Sequence, residues 1–231
     1  MALDVYVMPL WRFKAGDLTT GVQRLFPENP GGSTAFRILR LPNIKAFIAR
    51  RKAARQVRGV IKEAEKALGC RIQWRDEGDV VHSEQAWWGF EALRAYAKWL
   101  DLKDQIPAFE DPPDNNFYKH PALKWEGASR QFRYSHIIDH SCYSGYYVPC
   151  HFDRVVYVDA YQAYGRFTFQ RSFGSSYTLS DQLCSLEREI PQENDPGMSE
   201  SSQRAIAAGF KTLKELCGHS LSHKLPIVFW G

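Results

Sequence analysis

At the start of the chain Leu3, Val5 and Val7 alternate with Asp4, Tyr6 and Met8, the period-two pattern of a strand with one buried face. At the other end the apolar run LPIVFWG reads as a second strand, over 225–230, that pairs near the first. Between them the dominant period is helical. Asn43 is an N-cap and Gly69 a C′ residue for a long helix on which Phe47, Ala54, Val57, Ile61, Ala64 and Leu68 form the core stripe. CRIQWRDEGDVVHSEQ suggests a hairpin turning at Asp76-Glu77-Gly78-Asp79. A helix starting near Ser83 follows, its aromatic stripe of Trp87, Trp88, Phe90, Leu93, Ala97 and Leu100 assigned to the core.

Residues 104–122 hold four prolines and few periodic apolar positions, so they are expected to be an irregular surface connection. SRQFRYSHIIDHS suits a short helix from Ser129 to about His140, and RVVYVDAYQAY fits either a strand or an apolar helix end. Leu179, Leu183, Leu186 and Ile190 line one further helix, and Ala205, Phe210, Leu213 and Leu216 line the last. The fold class that follows is α+β: a mainly helical single domain over 1–231, with a small sheet involving the N- and C-terminal strands. No internal repeat is present.

Composition adds a compartment. The N-terminal apolar run lacks an early basic residue and is broken by Asp4 and Pro9, which fits neither a signal peptide nor a membrane span. Five cysteines, an odd number without framework spacing, point to reduced thiols and a cytoplasmic location. Cys184 and Cys217 fall in apolar helical stretches and read as small buried hydrophobes.

Charge changes the picture more. The formal net charge of +4 conceals a segregation: from Arg37 to Arg75 twelve Lys or Arg stand against two acids, so this segment carries +10 and the remainder −6. Arg51, Arg55, Arg58, Lys62 and Lys66 recur at helical spacing and predict a cationic stripe on a different side from the core stripe.

The densest candidate chemistry is HSCYSGYYVPCHF, residues 140–152. His136 and His140 lie four apart, and Cys142, Cys150 and His151 follow closely, so a metal site or a Cys/His nucleophile is conceivable on residue type. The glutamate of an H-E-x-x-H helix is missing, since the segment reads HIIDH, and there is no C-x-x-C pair. The preferred reading is a helix exit without metal, catalytic residue or cofactor. Gly145 would take positive φ, Tyr146 and Tyr147 would cover apolar neighbours with their hydroxyls in water, and Pro149 would fix the outgoing chain.

The same run, FRYSHIIDHSCYSGYYVPCHF, resembles a pattern H-S-x-x-x-G-Y-Y-x-P-x-x-F found in small uncharacterised bacterial cytosolic proteins, some of them immunity-like proteins of polymorphic toxin systems. LDVYVMPLWRF, GSSYTLSDQL and LPIVFWG extend the likeness. Where that pattern has Asp-Cys after His-Ser, this chain has Cys142-Tyr143. The resemblance implies a non-catalytic binding protein, an immunity-like inhibitor whose protein partner would be a toxin. Tyr143, Tyr146 and Tyr147 would form the contact patch, with the basic stripe steering an acidic partner. The alternative is nucleic-acid binding by the basic helix 43–68, and a further one is a metal- or Cys/His-dependent hydrolase at 136–151. No membrane partner is expected.

Overall fold

A computed structural model describes residues 4–17, 44–85, 87–126, 131–141, 144–161, 168–191 and 197–230. As expected, the fold is α+β with the terminal strands in one sheet. The strands are β1 (Asp4–Val7), β2 (His82–Gln85), β3 (Ser144–Val148), β4 (Val156–Tyr161), β5 (Thr168–Ser175) and β6 (Ile227–Trp230), in the order β2-β1-β6-β3-β5-β4. Every neighbouring pair is antiparallel except β3 and β5. The two ends of the sequence meet at the register Asp4↔Trp230 to Val7↔Ile227.

The helices are α1 (Leu10–Ala15), α2 (Ile44–Leu68), α3 (Trp87–Leu100), α4 (Pro121–Lys124), α5 (Ser135–Ile138), α6 (Ser176–Leu186) and α7 (Glu200–His223). Consecutive strand residues point to opposite sheet faces, and the two cores follow that rule. Val5, Val7, Tyr147, Ile227 and Phe229 pack with α3, α6 and α7. Tyr146, Val148, Phe173 and Val228 pack with Val57, Val60 and Ala64 of α2. The sheet is therefore a middle layer between the basic helix and the other long helices.

α3 and α7 cross where two glycines meet. A Cβ on Gly209 would lie 2.0 Å from the Gly89 carbonyl oxygen, so only bare backbone fits. α1 begins after Pro9, which offers no capping side chain, and Asp76 fills the role from across the chain. Its carboxylate accepts from Leu10 N at 2.7 Å and Trp11 N at 3.1 Å. Arg12, only 1% exposed, donates from Nε to Asp17 at 3.0 Å and from Nη1 to Asp79 at 2.7 Å.

Several expectations are corrected here. Residues 71–79 form no paired hairpin; the strand comes later, as β2 on the edge beside β1, and the helix placed near Ser83 starts at Trp87. The reason is tertiary: the carboxylates of the supposed turn are used by α1 and Arg12. On α2 the buried positions are Ala53, Val57, Val60 and Ala64, while Ala54, Ile61 and Leu68 are only half-buried. Residues 104–122 carry Phe109, Phe117, His120 and Ala122 into the core rather than merely crossing the surface. Within RVVYVDAYQAY, Val156–Tyr161 form strand β4. Cys217 is buried, but Cys184 is exposed. Asn43 and Ser129 lie outside the described residues, and the helix expected from Ser129 to about His140 is confined, among the described residues, to Ser135–Ile138. Among the described residues, no helix is long and apolar enough to cross a membrane.

Candidate functional site

The segment that dominates the sequence lies in the centre of the sheet. Tyr146 and Tyr147 belong to β3 and are both 0% exposed. The Tyr146 hydroxyl accepts from Arg171 Nη1 at 2.5 Å, and Tyr147 donates to the His136 carbonyl at 2.6 Å. Their hydroxyls are thus satisfied inside the protein, and neither residue is available to a partner at the surface. This corrects the contact-patch expectation; a central strand buries both faces. Tyr143 and Cys142 lie outside the described residues.

Gly145 is needed for space, since a Cβ there would sit 2.2 Å from Ser172 Oγ and 2.8 Å from His140 Cε1. A Cβ on Gly174, next strand over, would meet the Tyr147 ring at 2.6 Å. The two glycines clear a slot in which the His140 ring stacks on Tyr147 with centroids 3.8 Å apart. His140 Nδ1 donates to the Ser141 carbonyl at 2.9 Å, because a carbonyl can only accept. His136 has the other tautomer: its Nδ1 accepts from Ser175 N at 3.1 Å. Ser175 then caps α6 by accepting from Thr178 N at 3.1 Å and donates to the Cys150 carbonyl at 2.6 Å.

Burial holds both imidazoles neutral. Desolvation lowers His136 to about 4, against the Asp153 carbonyl and carboxylate, and His140 to about 3, against the Tyr146 and Ser141 carbonyls. The Cys150 thiol is pushed up to about 11 by burial and donates to the Gln73 carbonyl at 3.2 Å. A nucleophilic thiol needs the opposite shift. His151 is exposed and stacked on Tyr177 at 3.9 Å. Among the described residues, no group of three or more His, Cys, Asp or Glu is placed to hold a metal.

Two charged surfaces remain, one on each side of the sheet. On α2 the side chains of Arg51, Arg55, Arg58, Lys62 and Lys66 are all exposed, opposite the buried face. On the other side lie acidic residues that apolar periodicity does not reveal. Between Lys103 and Lys119, both exposed, there are four acids and no further base, and Asp104, Glu110, Asp111 and Asp114 are all exposed. Their signal in the sequence is the local charge count, not the spacing of the prolines around them.

This acidic segment is tied to the first turn of α7, and Asp101, just before it, is tied to Glu189 beyond the end of α6. The Asp111 carboxylate accepts from Ser202 Oγ in the first turn of α7. Arg133 joins Asp101, at 2.5 Å, to Glu189, at 2.9 Å. Tyr134 donates to Glu189 at 2.5 Å. Burial alone would raise the Glu189 carboxyl, but the Tyr134 and Arg133 hydrogen bonds outweigh it and hold the group below its ordinary value, ionised. Beside it opens a cleft of about 300 Å³ lined by Thr178, Asp181, Gln182 and Ser185 together with Arg133, Tyr134 and Glu189. Its lining mixes donors and acceptors, and the exposed Asp181 adds a negative charge.

No curated protein and no solved structure matches the chain. One family model does, over residues 40–229, from before α2 to within β6, which takes in both charged surfaces and the buried motif. With that match covering most of the sequence, the chain belongs to the family described as "Putative DNA-mimic protein".

Proposed function

We propose that this chain is a non-catalytic cytoplasmic binding protein whose partner is a DNA-binding protein, engaged through the acidic surface formed by residues 104–114 and the ends of α6 and α7. The family description supports a mimic of DNA. The observation that carries the reading to particular residues is the segregation of charge: Asp104, Glu110, Asp111, Asp114 and Asp181 are exposed on the side of the sheet away from the basic helix. A site built for phosphates attracts carboxylates by the same Coulomb field, and complementary fields speed encounter. The chain as a whole is cationic, so the mimicry is local to this surface. The immunity-like expectation is the narrower form of this reading, with a toxin as the partner, and its support is the motif resemblance.

The test is competition. Proteins from a nucleic-acid-depleted extract are loaded on DNA-cellulose, and the purified chain is passed over them. Release of bound proteins is expected from Arg55→Glu/Lys62→Glu, which leaves the acidic surface intact and removes the basic helix as a route to the DNA itself. It is expected to fail when Asp104→Asn/Glu110→Gln/Asp114→Asn is added to that variant. Equal release by the two, or release by neither, would overturn the reading.

A further inference from the structure

The basic stripe is not used by the acidic surface, and its geometry is that of a rigid row. α2 is 25 residues long and anchored along its other side by Ala53, Val57, Val60 and Ala64. Arg51 to Lys66 span about 22 Å at 1.5 Å per residue. Neither acid of α2, Glu63 or Glu65, forms an ion pair with Arg55, Arg58, Lys62 or Lys66. Glu65 is committed to the Ile72 amide, at 3.1 Å. Among the described residues no carboxylate forms an ion pair with Arg55, Arg58, Lys62 or Lys66.

We infer that this face of α2 is a docking surface for the phosphate backbone of duplex DNA, bound without base readout. The inference does not rest on the acidic surface and can fail separately from it. Duplex DNA carries one charge per roughly 1.7 Å of axis, so a row of this length lies alongside on the order of a dozen phosphates. Single strands are normally held by stacking bases on exposed aromatic rings. The large exposed hydrophobic residues among those described are Ile48, Tyr118 and Tyr157, and none of these on α2 is aromatic. A second copy of this chain is the poorer occupant, because part of its acidic surface is already compensated. Glu187 pairs with Lys214 at 2.6 Å, Glu200 with Arg204, and Glu189 with Arg133 at 2.9 Å.

The experiment follows the anisotropy of a labelled 20-base-pair duplex titrated with the full chain between 50 and 200 mM salt. Binding in the non-specific range is expected, with log K falling against log salt at a slope of about −4 for four to five phosphate contacts. Arg55→Glu/Lys62→Glu should weaken binding more than tenfold and flatten the slope by about 2. Should that variant fold poorly, Arg55→Gln/Lys62→Gln carries the same slope prediction. No duplex binding at 50 mM salt, or binding indifferent to both variants, would overturn the inference. Tighter binding to a single-stranded oligonucleotide would overturn the duplex assignment. Sedimentation at low salt showing self-association that the variants abolish, without DNA binding, would replace the duplex by a second copy.

Discussion

Lowering the pH should unfold this protein through its buried histidines. His120, His136 and His140 are each 0% exposed, and each has one ring nitrogen committed to a backbone group: Ala122 N, Ser175 N and the Ser141 carbonyl. Desolvation lowers His120 and His136 to about 4 and His140 to about 3. In the unfolded chain all three titrate near 6.5. The unfolded state therefore binds more protons than the native state as the pH drops below that value. Stability is full above about pH 6.5 and is lost as the pH falls towards 4. Each pK unit corresponds to about 1.4 kcal/mol, so His120 and His136 each remove about 3 kcal/mol by pH 4, and His140 a little more at lower pH. That total is comparable with the whole stability of a typical domain, about 5–15 kcal/mol, so cooperative unfolding should come first, near pH 5.

Asp76 and Asp139, both raised by burial, act in the opposite sense, but only in the carboxylate range. Urea unfolding followed by circular dichroism from pH 7.5 to 4.5 measures the slope. Between pH 6 and 5 it should approach three protons, or about 4 kcal/mol per pH unit. His120→Asn tests the assignment, because asparagine can replace the ring as the N-cap of α4. The variant should be less stable at neutral pH, since the ring stacks on Phe109 at 4.2 Å, yet its slope should fall by one proton. A wild-type slope below one proton, or one unchanged by His120→Asn, would refute the reasoning.

Gly209→Ala should lower the melting temperature markedly, by the equivalent of about 2–3 kcal/mol or more, because the new methyl meets the Gly89 backbone; unchanged melting would mean that the helices can separate freely. Arg12→Met should cost about 3–5 kcal/mol in urea unfolding, since it leaves the Asp17 carboxylate buried without its guanidinium. In native alkylation followed by peptide mass spectrometry, Cys70 and Cys184 should react quickly, while Cys150 and Cys217, the latter pushed up to about 12 by burial, should react only on unfolding.

What could be seen in the sequence was whatever local periodicity controls. The terminal strands, the extent of α2 to Leu68 with Gly69 at φ +72°, and the last helix all follow from apolar spacing and end signals. The exposure of the cationic stripe followed from the same wheel. What stayed hidden depends on partners distant in sequence. Asp76 looked like a turn residue because nothing local shows that Leu10 and Trp11 lack a cap. Tyr146 and Tyr147 looked exposed because their hydroxyl partners, Arg171 and the His136 carbonyl, arrive from β5 and α5. Gly145 signalled a turn, yet it serves the close approach of Ser172 and His140, which only the sheet register brings there. His140, Gly145, Tyr146 and Tyr147 of the H-S-x-x-x-G-Y-Y segment are thus packed together in the core.

The separation of the two charged faces decides how they act together. α2 covers one face of the sheet, and the acidic segment rides on the helical layer of the other. Each layer adds about 10 Å, so the two fields are set apart by about two layers, more than the Debye length of about 8 Å at physiological salt. At that ionic strength neither surface neutralises the other, so the two proposed sites, one for a protein and one for a duplex, should act independently. Combining Arg55→Glu/Lys62→Glu with Asp104→Asn/Glu110→Gln/Asp114→Asn should then be additive in duplex affinity, as for distant sites without shared partners. Near 0.01 M salt the Debye length rises to about 30 Å, and each surface enters the field of the other. Neutralising the acids should there strengthen duplex binding by the basic face, an effect absent at 0.15 M. If the acid-to-amide variant changes duplex affinity equally at both ionic strengths, the two surfaces are contiguous, and the separation argued from the layers is wrong.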